Sequence, residues 1–376
     1  MNTDENFAQT EDHVGTLLSR PAYDTLRYAT DRFYDQHAEL LNRRRAGGHI
    51  VDAHGDLRLE HVHLTPERVC IYDCIEFNER FRHIDVANDI AFLAMDLDLH
   101  GRPDLANHLV RHMVRGLDDP ELPRLVNFYK SYRAYVRGKV EGMRSVEDEV
   151  PTEECAASRQ RARTAYQWAL RYMVAGSQPL VIAVMGRVAT GKSTQAQAIA
   201  DALGWEAINS DRVRKQAAGV PLHERGDDAT REALYTRAMT EKTYDALFDT
   251  AVERGRAGRG TVLDATFSRR AHRDRLRDRL GAAGIPHVFV ELTADDETLR
   301  ARLRRRATAG DVVSDARLED FDMLRQRYEA PDALEDARHI HAVSEDDAEA
   351  TTCDALKHLV RLRPAPAPEP PALDAD

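Results

Sequence analysis

The chain has 376 residues, 42% hydrophobic content and a formal net charge of −11, enough for two domains with sizeable cores. That acidic balance excludes broad non-specific binding to nucleic acid or to anionic membrane while leaving room for a local basic cleft; the positive charge is almost all arginine, with six lysines in the chain. No run of about 18 apolar residues is present, the opening Met-Asn-Thr-Asp-Glu-Asn has no apolar signal core, and four scattered cysteines do not make a disulfide framework, so a reduced, cytoplasmic protein with no membrane partner is expected.

Residues 1–150 read as a first domain that mixes helices and short strands. Tyr23–Arg45 has helical spacing, Val69–Asp73 is strand-like, and Asp85–Leu97 returns to helix. Leu122–Val140 is a further helix, with Leu125, Phe128, Tyr132 and Val136 on one side. Cys70 and Cys74 would share one face of a strand as small core residues. A charged stretch, Arg144–Thr152, carries Pro151 and marks a boundary. Residues 151–178 then read as a connecting helix, with Ala165, Trp168, Ala169 and Tyr172 turned inward. Across residues 179–363 strands alternate with helices. The strand candidates are Leu180–Met185, Glu206–Ile208, Thr261–Leu263, His287–Leu292 and His339–Val343. That alternation predicts an α/β fold, a parallel sheet with helices on both faces. Residues 364–376 are proline-rich and cannot build a core, so they read as a disordered tail.

The densest signal lies at the head of the second domain. Gly186, Arg187, Val188, Ala189, Thr190, Gly191, Lys192 and Ser193 fit the pattern G-x-x-x-x-G-K-[ST], with Thr194 following. A short apolar strand precedes them. A helix follows, with Ala196, Ile199, Ala200 and Leu203 at helical spacing. Strand, glycine-rich turn and helix N-terminus together form an anion site, where amides point inward and the helix dipole adds positive charge. On this pattern the loop binds ATP, Lys192 reaches its β- and γ-phosphates, and the Ser193 hydroxyl holds Mg²⁺.

Ligands of open α/β sheets bind beyond the carboxyl ends of the strands. Asn209-Ser210-Asp211 follows the second strand and Asp264-Ala-Thr-Phe the third. Asp211 is placed to take a proton from an attacking hydroxyl, although the same position also suits a helix N-cap. Arg214, one turn on, would clamp an anionic acceptor. Asp264 ends an apolar strand, as an aspartate that orients Mg²⁺ does. The next residue is Ala265, so no carboxylate stands there to position water, which favours transfer to a hydroxyl over hydrolysis. Further on, Arg302 and Arg306 share a helical face. With Ala307-Thr-Ala-Gly-Asp after them they would form a lid over the γ-phosphate, or else a solvated face paired with Asp295, Asp296 and Glu297.

The segment from Pro179 to about Leu334 resembles the polynucleotide-kinase and gluconate-kinase-like branch of P-loop kinases. The matching residues are Gly186–Thr194, Ser210–Arg214, Val262–Phe267, Arg302–Arg306, Thr240–Tyr244 and Ser314-Asp-Ala316. The resemblance implies ATP-dependent phosphoryl transfer. The acceptors of that group range from small molecules such as sugars to nucleic-acid 5′-hydroxyl ends. Upstream, His54-Gly55-Asp56-Leu-Arg-Leu-Glu-His61 resembles the catalytic loop of aminoglycoside-phosphotransferase-like kinases, whose C-lobe is mostly helical. Asp56 would stand for the base and Asp73 for the metal-binding aspartate, with Asp85 and Asp89 beyond it. His61 replaces the usual asparagine. Only about 50 residues precede this loop, and the first lysine is Lys130, so the Gly-rich loop and phosphate-binding lysine of an upstream lobe are missing and the domain reads as truncated.

These readings converge on a P-loop kinase using ATP and Mg²⁺. Lys192, Asp211, Arg302 and Arg306 would act in catalysis, Arg214 would bind the acceptor, and Ser193 and Asp264 would hold the metal. His54, Asp56, His61 and Asp73 would form an accessory site. The alternatives are an ATP-binding regulatory module that transfers nothing, and a small-molecule phosphotransferase acting through His54 and Asp56.

Overall fold

Two stretches of the chain fold around separate cores, Met1–Ser177 and Gln178–Asp376. A computed structural model describes residues 3–221, 234–308, 318–332, 339–344 and 346–362, without the side chains of 306–308. The proline-rich tail, the segment after Arg306 and the Ser314-Asp-Ala316 motif lie outside the described residues.

The first unit is built on long helices. Helix α1 (Arg20–Ala46) starts at Ser19, whose side chain accepts from the Ala22 amide, has Pro21 in its first turn, and ends on Arg43, Arg44 and Arg45, a distribution that suits the helix dipole. Two antiparallel ribbons follow. β1 (Ile50–Asp52) pairs with β4 (His83–Asp85), and β2 (Val62–Leu64) pairs with β3 (Val69–Ile71). Helix α2 (Val86–Leu99) is capped by Asp85. Helices α3 (Pro103–Gly116), α4 (Pro123–Arg144) and α5 (Thr152–Val174) complete the unit.

Several acids of α2 are buried because each has a dedicated partner. Arg44 donates to both oxygens of Asp85 at 2.7 and 2.8 Å and to Asp119 at 2.9 Å. Asp89 accepts from the amides of His54 and Gly55. Asp96 accepts from the Leu59 amide and from Arg137. Asp98 pairs with Lys130 and accepts a hydrogen bond from the Tyr172 hydroxyl.

Helix α5 differs from the connector expected from the sequence. It packs along α4, where a Cβ on Gly138 would lie 2.8 Å from the Tyr166 ring, so only glycine allows that approach. The charged stretch around Pro151 is therefore the turn of a helical hairpin, and the first unit runs on to Ser177. The cysteines also depart from expectation. Cys70 sits half-buried on β3, while Cys74 lies beyond the strand and is exposed, because β3 stops at Ile71 and the chain turns at Asp73, whose φ is 65°.

The second unit carries a five-stranded sheet in the order β6-β7-β5-β8-β9, every neighbouring pair parallel. The strands are β5 (Val181–Gly186), β6 (Glu206–Asn209), β7 (Thr261–Asp264), β8 (His287–Thr293) and β9 (His339–Val343). Central β5 and β7 are buried throughout, as strands covered on both faces must be. Helices α6 (Lys192–Leu203), α7 (Ser210–Ala218), α8 (Arg237–Arg256), α9 (Arg270–Ala282), α10 (Asp296–Thr308), α11 (Phe321–Gln326) and α12 (Ala348–Arg361) alternate with them. On one face Val181, Ala183, Met185, Leu263 and Phe289 meet Leu247, Phe248 and Ala251 of α8 and Leu276 and Leu280 of α9.

Candidate active site

Register sets the site. Asp264 pairs with Val184 of β5 and with Asn209 of β6, so the segments leaving β5, β6 and β7 emerge side by side. Between them lies a cavity of about 510 Å³ whose wall includes the Gly186–Ser193 loop, Asn209, Asp211, Arg214 and Asp264.

The loop itself is shaped by backbone geometry. Gly186 has φ 140° and Gly191 φ 86°, and Ala189 is also left-handed at 66°. A Cβ on Gly186 would lie 2.4 Å from the Leu292 carbonyl oxygen. Gly191 stands at the N-cap of α6 with no side chain to cap the helix, which leaves the first amides of α6 to other acceptors. Lys192 Nζ donates to the Arg187 carbonyl at 2.8 Å, and Thr190 Oγ1 donates to the same oxygen at 2.9 Å. Arg187 is turned away from the loop interior, to Asp296 at 2.6 Å and the Ala294 carbonyl at 2.7 Å. Val188 and Ala189 pack on Leu299, Leu303 and Phe321, so the apolar stripe of α10 rests on the loop.

Asn209 is the residue that sequence reasoning missed. Its Oδ1 caps α7, accepting from the Asp211 and Arg212 amides at 2.9 and 3.0 Å, while its amide donates to Asp264. Asn209, not Asp211, is therefore the N-cap. The Asp211 carboxylate instead takes Arg214 at 2.6 Å, and the Arg214 guanidinium lies 4.5 Å over the Tyr235 ring. The signal was present in Asn209-Ser210-Asp211, since asparagine caps as well as aspartate.

The opposite wall comes from α8, α9 and the segment after α11. His272 stacks on Tyr244 at 3.9 Å and its Nε2 meets Glu241 at 3.1 Å. Burial holds the His272 pKa below its ordinary value against the opposing pull of Glu241. The Tyr244 hydroxyl accepts from the Phe267 amide at 3.0 Å, which fixes the chain as it leaves Asp264. Arg237, Arg269 and Arg327 also line the cavity, where cationic side chains outnumber the carboxylates of Asp211, Glu241 and Asp264.

Of the arginines expected to form a lid on α10, Arg302 is not among the residues that line this cavity. Arg302 donates to Ser344 Oγ at 2.9 Å and to the Ser344 carbonyl at 3.3 Å. Its helix turns Leu299 and Leu303 to the loop and leaves Arg302 facing the end of β9. The Arg306 side chain lies outside the described residues.

In the first unit the expected accessory residues do meet. His61 Nδ1 donates to the Asp56 carbonyl at 2.9 Å, and its Nε2 lies 3.3 Å from Asp73. His54 Nε2 donates to the Tyr72 carbonyl at 2.8 Å. The Asp56 carboxylate is taken by Arg58 at 2.9 Å. Asp56 borders a cavity of about 890 Å³ with Arg58, Arg133 and Arg137, whereas His54, His61 and Asp73 do not.

A parallel sheet whose first strand runs through an uncapped glycine loop into a helix, with aspartates at the neighbouring strand ends, defines a phosphate-binding α/β protein. Residues 181–331 match the AAA domain family. The chain is 32% identical over 176 residues to a shikimate kinase of Nitratidesulfovibrio vulgaris, covering 44% of this chain and 87% of that one. It is 31% identical over 137 residues to a gluconokinase of Gluconobacter oxydans, covering 35% of this chain and 67% of that one. It is also 31% identical over 271 residues to an uncharacterised protein of Mycobacterium tuberculosis, covering 70% of this chain and 51% of the relative. The chain belongs to the P-loop kinases. It spans about half the length of the mycobacterial relatives it matches. Among the described residues no helix is long and apolar enough to cross a membrane.

Proposed function

We propose that the second unit transfers the γ-phosphoryl group of ATP to a hydroxyl of a small, anionic acceptor. The observation that carries this reading is the convergence of Asp211, Asp264 and the glycine loop on one arginine-rich cavity. The loop amides and Lys192 hold the phosphates, with Lys192 exchanging its bond to the Arg187 carbonyl for a phosphate oxygen. Ser193 and Asp264, both hard oxygen donors on the same wall, suit Mg²⁺, which would supply charge neutralisation between the phosphates when bound.

Asp211 accepts the proton as the acceptor oxygen bonds to the γ-phosphorus and the bond to the β-phosphate oxygen breaks. Arg214, held by Asp211 and Tyr235, positions the acceptor's acidic group. Ala265 leaves no carboxylate beside Asp264 to recruit water. Transition-state charge falls to Lys192 and to arginines of the cavity wall. Arg302 would join them on exchanging its bonds to Ser344 for a phosphate oxygen. The shikimate kinase and gluconokinase relatives support an acceptor that is a small molecule bearing an acid group.

In the first unit, Asp56 on its arginine-lined cavity supports an accessory polar-ligand site. The aminoglycoside-phosphotransferase-like resemblance remains part of this proposal.

The test is a γ-³²P transfer screen over sugar acids, neutral sugars, aminoglycosides, nucleosides and 5′-hydroxyl oligonucleotides, with Lys192→Ala in parallel. Transfer to a hydroxy acid, reduced about 10²–10³-fold in Lys192→Ala, is the expected result. Transfer that survives Lys192→Ala would move the chemistry to the His54–Asp56 loop. ATP turnover that no acceptor stimulates would favour the regulatory reading.

A further inference from the structure

On β8 and the edge strand β9, Glu291, His339 and His341 form a cluster the phosphoryl-transfer reading does not use. In the β8–β9 register Phe289 faces His339 and Glu291 faces His341, so all three side chains of the cluster leave the same face of the sheet. Glu291 Oε2 lies 3.2 Å from His339 Nε2 and 3.0 Å from His341 Nδ1, and the three ligand atoms fall within 4.8 Å of one another.

We propose that Glu291, His339 and His341 bind a zinc-class transition-metal ion. Donors at tetrahedral positions about 2.0–2.1 Å from such an ion stand about 3.3 Å apart, close to the spacings of the carboxylate oxygen here. Two imidazoles and one carboxylate select zinc, cobalt or nickel over magnesium or calcium, which prefer oxygen. Among the described residues Glu291 has no lysine or arginine ion-pair partner; its ion pairs are to the two histidines.

The surroundings suit a built site. Glu291 and His339 are buried, and the His341 side chain is 55% exposed, which gives an ion a way in and leaves an outer position for water. The Tyr328 hydroxyl donates to Glu291 Oε1 at 2.5 Å, the kind of outer contact that aims a carboxylate ligand. Tyr328 also lines the acceptor cavity, so a bound ion would be one hydrogen bond from that wall.

The experiment titrates Co²⁺ and then Zn²⁺ into the full chain with excess Mg²⁺, which occupies oxygen-rich sites, and reads visible Co²⁺ absorption and bound stoichiometry. One equivalent with a low-symmetry spectrum, displaced by Zn²⁺, is expected. His341→Ala, at an exposed strand edge, should fold as the parent does and weaken binding by at least the roughly 10–100-fold that losing an outer-shell partner costs. Glu291→Gln should do the same without a change of shape. His61→Ala in the other unit should leave the spectrum unchanged. Absence of a Co²⁺ spectrum, a spectrum untouched by His341→Ala, or one abolished by His61→Ala would overturn the assignment and leave a hydrogen-bonded Glu–His triad. The readout is metal binding, so its failure is separable from failure of the phosphoryl-transfer reading.

Discussion

Replacing Gly186 by alanine separates two effects that the loop geometry keeps apart. Gly186 has φ 140°, and its added Cβ would stand 2.4 Å from the Leu292 carbonyl oxygen and 3.1 Å from Thr190 Oγ1. Leu292 is its register partner in β8, so relief of the contact requires the two strands to part. Gly191 is an internal comparison. Its φ of 86° is also left-handed, but its Cβ would meet only Ser344 Oγ at 3.5 Å, ordinary contact. A residue forced into such a region costs roughly 1–3 kcal/mol. Carried by the nucleotide-bound loop alone, that is about a 5- to 150-fold loss of ATP affinity for Gly191→Ala, at about 1.4 kcal/mol per tenfold. Gly186→Ala bears the same strain plus the clash, and should lose more affinity and lower the unfolding midpoint as well. Mg·ATP calorimetry and thermal unfolding on the full-length variants are the assays. Wild-type affinity and midpoint in Gly186→Ala would refute the placement of the loop against β8, and equal losses in the two variants would refute the role given to Leu292.

Asp211→Asn should leave ATP affinity near the parent value and cut transfer by about 10²-fold or more, since Asn209 keeps the helix cap; persistent transfer, with loss in Asp264→Asn instead, would move the base to the next strand. Arg44→Ala should destabilise the first unit by about 3–5 kcal/mol in urea titrations, because Asp85 and Asp119 stay buried without their partner. Burial depresses the His272 pKa, so on acidification the unfolded chain takes up its proton first. The contribution of His272 is whole above about pH 6.5, the unfolded value, and is lost as pH falls through the folded one. His272→Gln should therefore flatten the fall in unfolding midpoint on the acid side of neutrality, and an unchanged slope would sink that assignment.

What the sequence disclosed follows from how local each feature is. The five strands of the sheet lie within a residue or two of the expected runs, and for central β5 and β7 the reason is that a strand buried on both faces needs no partner's pattern to be recognised. Pro151 misled for the opposite reason. A proline in a charged stretch marks a turn whether a domain or a helical hairpin follows, and it is contacts no spacing reveals, such as Gly138 with Tyr166 and Asp98 with Tyr172, that join α5 to the first unit. The acids of α2 were legible as helix, but not their partners. Arg44, Lys130 and the amides of His54 and Gly55 lie dozens of positions away, so nothing local shows that Asp85 serves a buried guanidinium and Asp89 a loop backbone. Arg302 bonds Ser344 while Leu299 and Leu303 pack on Ala189, since helical spacing fixes which residues share a face but not which neighbour that face meets.

Parallel register explains why the candidate site itself was so readable. In such a sheet every strand ends on the same side, so the first polar residue after each apolar run arrives at one edge whatever the sequence distance between runs. Asn209 and Asp264, 55 positions apart, are hydrogen-bonded neighbours for this reason alone. The strand end acts as a ruler, and it places residues such as Asn209 at the site without showing what they bond there. Tyr235, His272 and Tyr328 reach the same cavity from helices and connecting segments, where one turn or one loop residue more would carry them elsewhere. Those residues set the shape and charge of the acceptor wall. The half of the site that would hold phosphate is therefore written in strand ends and read directly, while the half that would choose the acceptor is written in helix orientation. The sequence could accordingly name a reaction class and leave its acceptor open, and variants of the second set are the ones that should change which hydroxyl is used without changing how ATP is held.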